Sequence, residues 1–391
     1  MMKERNPFGS APWPRVRGSA FNTSVSAATV CAKGETLWSL PIAAGGLDGI
    51  VVAEDGCIFT NTLNALYAIE SDGKIRWKHQ AARGIGAPVV LADGSVVCWE
   101  DGRIVCREQS TSKLRWASDE EGWTRYVPSV TRDGFIIHNR SLPGGYEDIS
   151  AFWPGKGIVW SYRLGGNRYT SALAMDDLTV VIDGSYLAGL DSAGELLWLA
   201  NYRGFVPADA ANMIERLAEH EYITTPPMAL GSRFAAGCRW YDGAKLFIFD
   251  PARMSAAAWP NHADIRVPYE SPIALSAEPT IRVAGKLIGD SVLSFTGAGD
   301  LVFNVRLPAP MLNLLFDAAG NTIVSTSFDR DYWEKYREAY ALHNDCGLSG
   351  FDGAGRQIFR WVAPGPLEYS LAAGKAGELY CVSEGRLWAI G

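Results

Sequence analysis

The chain has 391 residues, 48% of them hydrophobic, with 14 Trp, 41 Gly and a formal net charge of −7. The length could hold two or three domains, and the net negative charge with a pI near 5.4 argues against a phosphate-backbone partner, so no nucleic acid is expected. No window approaches the ~20 apolar residues of a membrane span, and Met1-Met2-Lys3-Glu4-Arg5 leads into no apolar signal region, so a cytoplasmic protein without a membrane anchor is expected.

In chain order, residues 1–12 read as an N-terminal arm, and everything from Trp13 to Gly391 reads as one repeating domain. The repeat is a strand, a Gly turn and a strand ending in Trp. Leu66-Tyr67-Ala68-Ile69-Glu70-Ser71-Asp72-Gly73-Lys74-Ile75-Arg76-Trp77 shows it most clearly, and Leu187 to Trp198 repeats it. Its ends fall at Trp38, Trp77, Trp116, Trp160, Trp198, Trp259, Phe303 and Phe359. Most of these spacings are close to the roughly 40–45 residues of a four-stranded propeller blade. The intervals after Trp198 and after Phe303 are longer and carry insertions. Ile104 to Trp116 and Leu246 to Trp259 run one and two residues longer than Leu66 to Trp77, which predicts altered turns there.

The first copy, Gly34-Glu35-Thr36-Leu37-Trp38, lacks its opening strand, and the last, Arg386-Leu387-Trp388-Ala389-Ile390, lacks its closing one. Joined, they make one blade. The predicted fold is therefore all-β: a single eight-bladed β-propeller closed by both chain termini, with two short helical insertions on one face. Closure of this kind removes the edges an open sheet would expose.

The first insertion, about 203–223, contains an Ala-rich stretch from Ala208 to His220 behind Pro207, which suits a helix start. The second, about 328–346, contains Tyr332, Tyr336 and Tyr340 on one helical face, with His343 one turn on. With strands lettered A to D from the axis outward, the first insertion is a D-to-A connection and the second a B-to-C connection. Alternating strand direction puts both on the same face, as a lid.

Residues just before each A strand should ring the axial mouth on that face. They are Arg83, Arg125, Tyr126, Arg168, Tyr169, Tyr269, Glu270, Glu368 and Tyr369, with His79, Tyr202, Arg203, Tyr222 and His262 in the same connections. Arginine forks recognise carboxylate or phosphate, and tyrosine offers a stacking face and a hydroxyl. Glu270 or Glu368 could serve as a catalytic base, or could pair with the arginines. The seven cysteines form no CxxC, read as buried thiols, and leave Cys346, after an insertion, as the best candidate nucleophile. The histidines show no metal spacing, and neither a metal nor a cofactor is called for.

The phrase resembles the pyrroloquinoline-quinone-like propeller repeat of quinoprotein dehydrogenases and of the outer-membrane assembly lipoprotein BamB. The lead-in Trp13-Pro14-Arg15-Val16-Arg17-Gly18 is similar as well. The resemblance implies that each phrase-ending Trp docks on the neighbouring blade. Quinone dehydrogenases of this kind are exported and longer, with a vicinal disulfide and a calcium-ligating acidic set; adjacent cysteines, a leader and the extra length are not seen in this sequence, so a true quinoprotein dehydrogenase is not implied. The function expected is a binding or scaffold propeller holding a partner protein or a small polar or anionic ligand. The alternative is a cofactor-independent lyase, isomerase or cyclase acting at the mouth.

Overall fold

The computed structural model describes residues 8, 10–15, 24–42, 49–123, 127–142, 146–164, 172–175, 177–201, 203–209, 222–223, 225–240, 243–259, 274–275, 283–286, 291–296, 300–328 and 345–391. These form eight antiparallel sheets. Blade 1 shows the pattern, with strands Ile50–Val52 (A), Ile58–Asn61 (B), Ala65–Ile69 (C) and Ile75–Gln80 (D) paired in that order. Blades 2 to 7 follow over 89–117, 129–163, 173–207, 222–259, 274–306 and 311–362. Blade 8 takes Leu367–Ala373, Leu379–Ser383 and Arg386–Ile390 from the C-terminus and its outer strand, Thr36–Pro41, from the N-terminus. The two half-phrases thus join as their sequence predicts.

One blade cannot bury both faces of its sheet, so apolar residues are shared between neighbours. Val51 and Phe59 of blade 1 pack with Val90 and Val96 of blade 2. Met228 of blade 5 packs with Leu293 and Phe295 of blade 6. Blades 7, 8 and 1 share one cluster through Leu315, Leu379 and Ile50. Every neighbouring pair around the ring shares such a cluster.

The phrase-ending aromatics tie the same seams. Trp38 Nε1 of blade 8 donates to the Ser71 carbonyl of blade 1 at 2.8 Å, and Trp77 Nε1 donates to Gln109 of blade 2 at 2.8 Å. The glycine of the turn makes room: a Cβ on Gly73 would stand 2.9 Å from Trp38, and one on Gly194 2.6 Å from Trp160. Phe303 occupies the same place over Gly355, so phenylalanine substitutes at that seam.

Within the repeat the C and D strands pair with one bulged residue just before the aromatic, as at Arg76 between Ile75 and Trp77. The two longer phrases depart as expected. Blade 2 carries Ser112 at φ 61° in its turn, and blade 5 a short 3-10 turn, Pro251–Arg253. Blade 5 also shows no bulge, and Trp259 stands opposite Leu246, the register position that Trp361 holds opposite Leu348. Trp259 is therefore displaced two residues from the phrase position assigned to it, because the longer turn moves the whole D strand.

The first insertion corrects the helical expectation at its edges. Gly204–Pro207 is a fifth, outermost strand on blade 4, antiparallel to Leu196–Asn201, and Tyr222–Ile223 is again strand, paired with Arg233–Trp240. Pro207 ends this edge strand, and a 3-10 turn begins directly after it at 208–209. Residues 210–221 and 329–344, with the helices expected there, lie outside the described residues. Among the described residues no helix is long and apolar enough to cross a membrane.

The N-terminal arm has a defined course. Trp13 and Val52 exchange backbone hydrogen bonds at 3.4 and 2.7 Å, and the Val90 amide donates to the Pro14 carbonyl at 2.9 Å. Further on, Phe316 donates to the Ser24 carbonyl at 2.9 Å and accepts from Ser26 at 2.8 Å. Val52, Val90 and Phe316 are the last residues of three A strands. The described parts of the arm therefore bind the ends of these A strands on the face of the A–B and C–D turns, the lower face. Phe8, in a cluster with Val89 and Val130, anchors it to blades 2 and 3.

Candidate functional site

The upper face carries the B–C and D–A connections, where the sequence places the axial mouth. Its described side chains are joined chiefly to one another. At the seam of blades 1 and 2, His79 lies two residues past Trp77 and meets Glu100, the last residue of the next B strand, at 2.8 Å. Arg107 clamps the same carboxylate through Nε at 3.0 Å and Nη2 at 2.8 Å. The three side chains are largely buried.

The seam of blades 3 and 4 repeats the arrangement with other residue types. Tyr162, two residues past Trp160, donates its hydroxyl to Asp183, the last residue of the next B strand, at 2.9 Å. A buried carboxylate needs such partners, since an ion left unpaired away from water is costly. The repetition of one register position in two seams identifies these contacts as blade-to-blade joints.

Arg83 sits in the D–A connection after blade 1, exposed at the rim. Its loop is fastened to the next B–C turn by Asp101, whose carboxylate accepts backbone N–H groups from Ala82 at 3.1 Å, Arg83 at 2.5 Å and Gly84 at 3.0 Å. Burial pushes the Asp101 carboxyl upward, but these donors outweigh it and hold the group below the usual carboxylate range. The Arg83 guanidinium itself donates to the Asp101 carbonyl.

Glu368 is half-buried on the innermost strand of blade 8. Pairing there jumps from Leu367–Ser383 to Leu371–Cys381, so Glu368, Tyr369 and Ser370 form a bulge at the upper end of that strand. Bulges re-aim side chains and are frequent beside functional sites. For Tyr369 only the backbone is described, in this bulge, and for Tyr222 only the backbone, in a strand. Arg125, Tyr126, Arg168, Tyr169, Tyr269, Glu270, Tyr332, Tyr336, Tyr340 and His343 lie outside the described residues, as do Tyr202, His220 and His262.

Cys346 is not the exposed nucleophile its position suggests. It is buried, with its thiol pushed up by desolvation. Burial likewise raises Cys57 to about 12 and Cys106 to about 11. Cys31 is the exposed thiol. Groups of three or more His, Cys, Asp or Glu placed to hold a metal ion do not occur among the described residues.

Sequence reasoning placed His79 at this face but missed Glu100, Asp183, Arg107 and Tyr162. The D-strand position two past the aromatic was the available signal, because it alternates onto the seam-facing side.

The model of the family described as "Outer membrane protein assembly factor BamB" matches residues 22–212. Among solved structures, BamB from Moraxella catarrhalis is similar at 16% identity and a TM-score of 0.61, covering 91% of this chain and 96% of that one. The quinohemoprotein alcohol dehydrogenase ADHIIG from Pseudomonas putida HK5 is similar at 12% identity and a TM-score of 0.58, covering 95% of this chain and 75% of that one. At these identities the likeness is one of fold. No curated protein sequence matches the chain.

Proposed function

We propose that this BamB-like, pyrroloquinoline-quinone-type propeller-repeat chain is a binding scaffold whose upper face holds a protein partner or a small polar or anionic ligand. One observation carries the reading. The described ionisable groups of the upper rim are spent on joining blades, as in His79–Glu100–Arg107, which suits a rigid platform more than an acid–base set. The blade 7 connection between Thr322–Thr326 and Gly347–Phe351 leaves and re-enters the sheet at that face, and loops on a rigid scaffold are where binding collects. Six buried, unbridged thiols suit a reducing compartment, and we place the protein in the cytoplasm.

A second reading, a cofactor-independent lyase, isomerase or cyclase, draws on Glu368. A half-buried carboxylate in a bulge of the innermost strand is a reasonable place for a base.

Native mass spectrometry of gently purified full-length protein, beside the Arg125→Ala/Arg168→Ala double variant, tests the proposal. A bound protein or small anion, lost in the variant at an unchanged melting temperature, is the expected result. Apo protein in both preparations would overturn it. A small molecule turned over by the wild type and not by Glu368→Gln would move the assignment to the enzyme.

A further inference from the structure

A second site lies on the lower face, away from the mouth. In seven blades one residue bulges out of the C–D pairing just before the aromatic. In blades 3, 4, 6, 7 and 8 it is Val159, Leu197, Val302, Ile358 and Leu37, from 38% exposed at Val302 to 56% at Leu37. In blades 1 and 2 it is Arg76 and Arg115. The two exceptions are adjacent, and a cleft of about 560 Å³ lies between them.

Three cations, Arg76, Arg115 and Lys375 of the blade 8 A–B turn, line this cleft with Glu54 and Asp55, and Glu70 and Asp93 hold the two arginines from beside it. Acids of each blade's own turns aim the guanidinia. Arg76 donates Nε to Glu70 at 2.7 Å and Nη2 to Asp55 at 2.9 Å, and Arg115 donates Nη1 to Asp93 at 3.1 Å. Those bonds leave Nη1 of Arg76 and Nε of Arg115 to donate elsewhere, since a guanidinium carries five N–H groups. Lys375 spends one of its three hydrogens on the Glu54 carbonyl, at 2.9 Å. Ala11, Leu91 and Ala92 supply the apolar side.

A structural ion pair would account for either arginine alone. It does not account for three cations converging on a partly apolar cavity of ligand size, where five other blades carry an aliphatic residue at the bulge. We propose that this cleft binds a small molecule with a carboxylate or phosphate on an apolar body. The arginines and lysine would take the anion, and Ala11, Leu91 and Ala92 the body. Because Ala11 belongs to the arm, occupancy would also hold the arm against the ring.

Isothermal titration of the full chain with phenyl phosphate, phenylacetate and inorganic phosphate tests this, using wild type and the Arg115→Ala/Lys375→Ala double variant. Both residues are at the surface and their removal should leave the melting temperature nearly unchanged. Saturable one-site binding of a phenyl anion is expected, at least about tenfold weaker in the double variant. Phenyl phosphate against phenylacetate separates the two headgroups. Absence of saturable binding by wild type, or equal affinity in the folded variant, would overturn the site. Inorganic phosphate binding as tightly as phenyl phosphate would overturn the role of the apolar side.

Discussion

At the scale of single residues, the turn glycines decide how closely neighbouring blades approach. Gly73 has φ +87°, and its absent Cβ leaves room for the Trp38 ring. Gly56, in the same blade, has φ +88°, and a Cβ there would meet nothing within 4 Å. The pair separates backbone conformation from packing. Gly56→Ala should cost about 1–2 kcal/mol, the expense of a left-handed alanine. Gly73→Ala should cost about 2–4 kcal/mol, since overpacking against Trp38 adds to it. Urea unfolding of both variants checks the difference, and equal losses would show that Trp38 moves aside freely. This glycine was legible in the sequence as a turn residue. That its second task is to admit an aromatic from another blade was not, because Trp38 and Gly73 belong to different copies of the repeat.

At the scale of elements, the fifth strand of blade 4 shows how an edge is covered. The free edge of a D strand offers unpaired backbone groups to any extended segment. After Trp198 the chain turns back at once, and Gly204–Pro207 takes that edge. Phe205 then packs edge-on to Trp198 at 4.9 Å between ring centroids and approaches Phe249 of blade 5 at 6.1 Å. Phe205→Ala should therefore cost about 1–2 kcal/mol, less than a fully buried phenylalanine, from lost area and aromatic pairing. Hydrogen exchange should quicken at Val206, whose partner in the pairing is Leu199, and stay unchanged in blade 1. Gly-Phe-Val-Pro is too short to show a period, and Pro207 reads equally as a helix start. The availability of the blade 4 edge makes Gly204–Pro207 a strand, and a 3-10 turn follows at once at 208–209.

At the scale of the whole molecule, the N-terminal segment fastens the ring twice. Thr36–Pro41 completes blade 8, and residues 11–15 and 24–26 bind the inner edges of blades 1, 2 and 7. A ring closed only by its last strand would open at that seam first. Deleting residues 1–15 should keep the blade pairing of Thr36–Pro41 but release the Val52 and Val90 amides, which donate to Trp13 and Pro14. Hydrogen exchange is expected to quicken at those two amides, with a fall in melting temperature, because Trp13 is almost wholly buried. Unchanged exchange at Val52 would show that the arm is not a fastening.

The sequence by itself determined the repeat, the number of blades and the joining of the two chain ends. Each of these is written in local residue order: apolar strand, glycine turn, aromatic, and half a phrase at either terminus. Tertiary structure alone decided where the arm runs, that Gly204–Pro207 is a strand, that Cys346 is buried, and that Arg76 and Arg115 share a cleft. Those outcomes depend on contacts between residues far apart in the chain, such as Ser26 with Phe316, and on which edges and cavities remain once the blades have packed. A periodic pattern specifies the blades, and the space left between them is a property of the assembled ring.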